Sequence, residues 1–204
     1  MGSFLYDARM TATVGRRERK KAATRQALAD AALKLFLEHG YDHVTIRDVA
    51  EAADVSTTTL LKHFPAKEAL VFDEDAEHEA GLVAAVRDRA AGQSVPEALC
   101  AYVKRARVGG ADSDTRFTAF VDLVNGTPAL SRYGHRMWMR HQDALAHAIA
   151  EDAGRAPDDH ACAALAHFAL EASALAHRSD DPVGAVDAAF ALLGHGWDAA
   201  LAGA

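Results

Sequence analysis

Leu28, Ala32, Leu35 and Phe36 follow one another at steps of four, three and one, which sets them on a single stripe of a helix. Gly40 closes that stripe, as glycine does where a helix stops. A second helix is predicted to begin after Thr45, whose hydroxyl caps the first turn, with Asp48 as capping-box partner and Val44 facing Val49 as a hydrophobic staple. Ile46, Val49, Ala50 and Ala53 make its buried side. After a break at Ala53-Asp54-Val55, Ser56 caps a third helix through Thr57, Thr58, Thr59, Leu60, Leu61, Lys62 and His63, where Val55 and Leu60 repeat the staple. No long stretch alternates with a period of two, so the predicted fold class is all-α.

Beyond this region the pattern predicts one long helix from Lys67 to about Arg89, with Leu70, Val71 and Phe72 turned toward the first three helices. Breaks at Ala91-Gly92, Gly109-Gly110, Gly126-Thr127-Pro128, Gly154 to Pro157 and Ser179 to Pro182 delimit five more. The last two, about Asp158 to Arg178 and Val183 to Ala202, carry broad small and apolar faces. These comprise Ala161, Ala164, Leu165, Phe168, Ala169, Ala172 and Ala176, then Val186, Ala189, Phe190, Leu193 and Trp197.

Composition narrows the class. Half of the 204 residues are hydrophobic and a quarter charged, enough to bury a sizeable core and unlike a disordered chain. No apolar run approaches the roughly 20 residues that cross a bilayer, and the N-terminus lacks a secretory pattern, so a cytoplasmic location without membrane contact is expected. Cys100 and Cys162 show no metal-type spacing and are read as reduced, buried thiols.

The net charge of -7 argues against a nucleic-acid partner until it is divided along the chain. Residues 1–67 carry eleven Lys/Arg against eight Asp/Glu, whereas residues 68–204 carry eleven against twenty-one. Within residues 1–25 the ratio is seven to two, from Arg9, Arg16, Arg17, Arg19, Lys20, Lys21 and Arg25 against Asp7 and Glu18. A basic, anion-binding flexible arm over 1–20, a first domain over 21–67 and an acidic body over 68–204 are therefore expected, with a plain solvated terminus as the alternative for the arm.

Two short capped helices meeting at a tight turn form a helix-turn-helix, although an αα-corner in a protein with no nucleic-acid role has the same local pattern. A helix fits the major groove, and its first turn faces base edges. Thr57 and Thr58 are the outward candidates, offering hydroxyls and methyl groups, while Thr59 caps or packs. Thr45, Arg47, Ser56, Lys62, His63 and Lys67 complete the predicted DNA-binding set, as helix N-termini and donors for phosphate oxygens.

Arg25, Ala31-Ala32, Leu35-Phe36, Gly40-Tyr41, Thr45, Ile46, Val49-Ala50, Ala53, Val55-Ser56, Leu60, His63-Phe64, Lys67-Glu68 and Leu70 together resemble the DNA-binding domain of the TetR family of bacterial transcriptional regulators. The resemblance implies a three-helix DNA-binding domain, a larger helical domain for ligand binding and dimerisation, and repression relieved by a small molecule. It also implies a homodimer through the last two helices, in preference to internal packing of their faces, and a pseudopalindromic DNA operator. Four residues depart from the family pattern: Asp54 replaces the usual turn glycine, Leu61 a tyrosine that contacts the DNA backbone, Ala66 a serine cap, and Thr58 a commonly small residue.

Candidate ligand-binding residues are Tyr102, Phe117, Phe120, Val121, Met137, Trp138, His141, Phe168 and Glu171, each of which reads equally as ordinary core. Trp138 and His141, three apart, share one helix face. Of the eleven histidines, His135, His141 and His147 step by six and His160 and His167 by seven, which are not metal-ligand spacings, so no metal and no cofactor are expected. Neither GxSxG, a P-loop, GxGxxG nor HExxH occurs, so no enzyme is expected. The competing readings are a helical metal-dependent protein or enzyme with an incidental helix-turn-helix, and a regulator that answers to a protein partner.

Overall fold

The computed structural model describes residues 15–107, 113–176 and 179–202. The chain folds as two units, one ending at Asp73 and the other starting at Glu74. In the first unit, helix α1 spans Arg16–His39 and buries Leu28, Ala29, Ala32 and Phe36. Gly40, at φ 82°, stops it and returns its N–H to the Phe36 carbonyl. The helix begins at Arg16, so residues 16–20 of the expected flexible arm are helical, and the remaining residues 1–14 lie outside those described. No side chain caps this start, which is why the sequence offered no boundary there.

Helix α2, Ile46–Ala52, begins with the predicted reciprocal cap. The Asp48 N–H donates to Thr45 Oγ1 at 3.2 Å, while the Asp48 carboxylate accepts the Thr45 N–H at 2.8 Å. The Thr45 N–H and the Thr45 hydroxyl, both donating to it, hold the Asp48 carboxyl below the usual carboxylate range. Helix α3, Thr57–His63, is capped by Ser56 Oγ, which accepts the Thr59 N–H at 3.1 Å. Between them Asp54 adopts φ 53°, the left-handed geometry that its short polar side chain tolerates better than most. A β-branched residue tolerates it poorly. In urea unfolding, Asp54→Val is expected to lose about 1–2 kcal/mol while Asp54→Gly stays within about 0.5 kcal/mol of the parent. Leu28, Phe36, Val44, Val49, Leu60, Phe64 and Leu70 close the core of this unit.

The long helix predicted from Lys67 to Arg89 is not continuous. A single turn at Glu68–Leu70 is followed by irregular backbone, and α4 spans only Asp75–Arg87. The cause is tertiary: Leu70 and Val71 are buried in the first unit, and the Asp73 carbonyl accepts the Arg25 guanidinium at 2.7 Å. The first unit therefore runs past the expected boundary at Lys67 to Asp73.

The second unit holds α4, α5 (Val95–Arg107), α6 (Ser113–Gly126), α7 (Pro128–Asp152), α8 (His160–Ala176) and α9 (Pro182–Ala202). The breaks fall at the predicted Gly and Pro sites, except that Gly109-Gly110 lies outside the described residues. Helix α4 packs on α5 and α7, α7 on α6 and α8, and α9 on α8 and α5. Their core is Leu82, Val86, Leu99, Leu145, Ile149, Leu165, Ala169, Ala172, Val186, Phe190 and Trp197. Among the described residues no helix is long and apolar enough to cross a membrane.

That core corrects the expectation for the last two helices. Leu165, Ala169, Ala172, Val186, Phe190 and Trp197 pack inside the protomer, since α8 and α9 lie on one another and on the rest of the bundle. The apolar surface left outward is a different set: Phe168 is 54% exposed, Leu175 51% and Leu192 77%. Cys162 is buried, which pushes its thiol up to about 11, and half-buried Cys100 lies 3.6 Å from Asp187.

Candidate nucleic-acid interface and effector site

The caps and the shared core leave one side of α3 for contact. Thr57, Thr58, Leu61 and Lys62 are exposed, whereas Leu60 is buried and Thr59 half-buried. Thr57 lies one turn from Leu61 and Thr58 one turn from Lys62, so the four form adjoining rows on the surface. On α2, Arg47 is exposed. Thr45 and Ser56 are exposed too, but their hydroxyls are engaged as caps, with the Thr45 hydroxyl donating to Asp48 at 2.7 Å and Ser56 Oγ lying 2.9 Å from Thr59 Oγ1.

Two predicted phosphate donors are turned inward. Lys67 is half-buried, its ammonium donating to the Tyr41 carbonyl and sitting 3.9 Å from the Tyr41 ring centroid. Burial lowers its pKa, countered by Asp42, Glu68 and Asp48. His63 is half-buried as well, and burial together with the cations of Arg25 and Lys21 holds its imidazole below the ordinary histidine value. Lys67 thus ties the segment after α3 to Tyr41 and lies 5.5 Å from the Phe36 ring centroid.

Arg25 was visible in the sequence only as part of a pattern, yet it is the clasp of this unit. One guanidinium nitrogen donates to the His63 carbonyl at 2.8 Å, at the end of α3, and another to the Asp73 carbonyl at 2.7 Å. Its Cζ lies 4.2 Å from the Phe64 ring centroid, over the ring. A planar fork with several donors suits two carbonyls and an aromatic face at once.

In the second unit the candidate ligand residues separate. His141, 1% exposed, donates or shares its Nε2 proton with Asp75 at 2.7 Å. Arg140 binds the same Asp75 and reaches Glu79 at 2.9 Å. The Tyr102 hydroxyl lies 2.9 Å from His78 Nδ1, and the His78 and His141 rings are 5.5 Å apart. His141 Nδ1 is buried without a hydrogen-bond partner. With Nε2–H donated to a carboxylate, Nδ1 is an acceptor in the uncharged form of the ring and a donor in the imidazolium. Trp138 is half-buried against the core, and Met137 is half-buried on the same helix.

The other candidates are elsewhere. Phe120 and Val121 are half-buried on α6, and the side chain of Phe117 lies outside the described residues. Phe168 and Glu171 are exposed on α8 rather than turned into the bundle. Sequence reasoning missed Asp75, His78, Glu79 and Arg140. The only signal was their spacing along α4 and beside His141, because the partners are more than sixty residues apart. It also missed Gly81, where a Cβ would come within 2.8 Å of the Tyr102 ring. Two hollows open nearby, one of about 440 Å³ beside Gly81, Arg89, Tyr102 and Arg105. The other, of about 480 Å³, lies between α5 and α9 beside Cys100, Lys104, Asp187 and Phe190. Among the described residues no group of His, Cys, Asp and Glu is placed to hold a metal ion.

Comparison with known proteins follows the same division of the chain. Residues 28–73 match the family model for bacterial regulatory proteins of the tetR family, and residues 89–198 match the model for the MftR C-terminal domain. The transcriptional regulator TcmR of Streptomyces glaucescens is 34% identical over 152 residues, covering 71% of this chain and 67% of TcmR. The mycobacterial regulator MftR of Mycobacterium tuberculosis is 24% identical over 186 residues, covering 88% and 94%. The solved structure of FadR from Thermus thermophilus, a TetR-family repressor in complex with lauroyl-CoA, has the same fold, with a TM-score of 0.52 and 24% identity over 84% of this chain and 94% of that one. With an exposed, doubly capped helix-turn-helix in one unit and a helical bundle in the other, this chain belongs to the TetR family and is a DNA-binding transcriptional regulator.

Proposed function

We propose that this regulator is a repressor that binds a pseudopalindromic operator as a homodimer and is released by a small molecule bound in its second unit. The observation that carries the DNA half is the exposed Thr57, Thr58 and Lys62 on a helix held in place by Ser56, Leu60 and Arg25. One such helix makes few base contacts. Two related by a two-fold axis read half-sites about 34 Å apart or a multiple of it, and binding both multiplies affinity.

The second apolar face of α8 and α9 supports the dimer. A helix apolar on one side is satisfied by its own core, whereas Phe168, Leu175 and Leu192 remain uncovered after that core is complete. His141 supports the effector. Its orphaned Nδ1 would be satisfied by a ligand hydroxyl or N–H, in a setting already linked to Asp75, Arg140 and Glu79. FadR, of like fold, holds lauroyl-CoA. An effector acts here only by binding the DNA-incompetent conformation more tightly than the competent one.

The test is a fluorescence anisotropy titration against the intergenic DNA beside its own gene and against random duplex at matched salt. The parent is expected to prefer the former by roughly 1000-fold or more. A Thr57→Ala, Thr58→Ala variant is expected to lose most of that preference while retaining salt-dependent binding to random DNA. An unchanged ratio would remove those two residues from the reading surface.

A further inference from the structure

The outward rows of α3 consist of Thr57, Thr58, Leu61 and Lys62. Of the side chains that pair with base edges through two hydrogen bonds or accept from cytosine, only one is present, Lys62, which suits guanine. Three of the four instead carry methyl groups. Leu61 is the largest of them and is 48% exposed, one turn after Thr57 and immediately before Lys62. Its neighbour Leu60 is fully buried and supplies the helix's packing, so Leu61 is surplus to the core of this unit.

We propose that Leu61, flanked by the methyls of Thr57 and Thr58, is a specificity-determining residue that selects thymine in each operator half-site through its C5-methyl group. In the major groove that methyl is the one apolar feature of the base-pair edges. Leucine against it removes apolar surface from water on both sides. At the same place cytosine presents only a C5–H, beside an amino group on C4 where thymine has an oxygen, and adenine presents a ring nitrogen beside its amino group. Leucine would strip water from these without returning a hydrogen bond, which is the costly case. Discrimination therefore comes from contact with the methyl and from penalties against polar edges. Lys62 adds attraction to phosphate or guanine beside it.

The experiment uses the full-length protein. Duplexes are selected from a random library, and in the enriched sequence each thymine is replaced in turn by deoxyuridine, which removes the methyl and nothing else. The parent is expected to lose roughly three- to fivefold in affinity at one or two thymines per half-site. Leu61→Ala is expected to bind the parent duplex more weakly and to stop distinguishing thymine from deoxyuridine at one of those positions. Leu61→Met, which keeps an apolar side chain, is expected to retain the distinction. Replacing that thymine by cytosine should weaken binding by the parent protein, and 5-methylcytosine should recover part of the loss. Because Leu61 is exposed, both variants should melt with the parent, which circular dichroism checks. Deoxyuridine that is neutral throughout an enriched duplex, or Leu61→Ala that remains as sensitive as the parent, would overturn the proposal while leaving the regulator reading intact. Failure to enrich any duplex would overturn both.

Discussion

Leu192→Glu is expected to convert the protein from dimer to monomer and to weaken operator binding roughly 100-fold or more. Leu192 is 77% exposed, on the side of α9 away from the Val186, Phe190 and Trp197 core. A carboxylate there costs the isolated protomer almost nothing, since surface substitutions away from special features change stability by about 0.5 kcal/mol or less. Buried in a two-fold interface, the same charge appears twice and loses its water without a partner. Phe168→Glu on α8 should act alike, because Phe168 is exposed beside Leu175 on the corresponding apolar side. Light scattering after size exclusion reads the mass, and anisotropy with a whole operator and a single half-site reads the coupling. Whole-operator affinity should fall toward that for the half-site, which itself should barely change. A dimer that survives both substitutions would move the interface away from α8 and α9.

Arg25→Ala should unfold the first unit selectively. The guanidinium makes two charge-assisted hydrogen bonds, to the His63 and Asp73 carbonyls, and stacks on Phe64. Hydrogen bonds to charged groups contribute about 1.5–3 kcal/mol each, and the ring contact adds about 0.5–2 kcal/mol. Even the lower end of that sum, about 3.5 kcal/mol, is a large part of the stability of a small domain. Lysine cannot rescue it, because one ammonium on a flexible stem does not span two carbonyls and a ring face. Calorimetry should show the transition of the first unit lowered or absent in Arg25→Ala and only partly restored in Arg25→Lys, with that of the second unit unchanged. Operator binding should fall with the first transition. Equal melting of parent and Arg25→Ala would show that α3 is anchored by its apolar contacts alone.

Much of the first unit was legible because its signals are local. Thr45 with Asp48, and Ser56 with Thr59, are bonds between residues three apart, and Asp54 sits in the left-handed turn that its side chain permits. The start of α1 was hidden because it has no capping side chain and its basic residues read equally as a solvated arm. Lys67 and His63 were assigned to DNA as donors beside the helix N-termini. The inward position of Lys67 follows from its contact with Tyr41, twenty-six residues away, which no spacing along α3 contains.

The second unit was legible only as helices. Its glycines and prolines marked the ends, but an apolar face does not say which neighbour covers it. Leu165 and Phe190 could serve a core or an interface with the same periodicity, and only the packing of α8, α9 and α5 assigns them to the core. The effector candidates show the same limit, since His141 was visible while Asp75 and Glu79, which define its chemistry, lay on another helix. By itself, then, the sequence determined the helix-turn-helix, its caps and the all-helical class, because hydrogen bonds and hydrophobic periodicity over a few residues suffice for these. The tertiary structure decided where the reading helix is clasped, which apolar faces remain uncovered and which histidine nitrogen is left without a partner, because each depends on side chains brought together from distant parts of the chain.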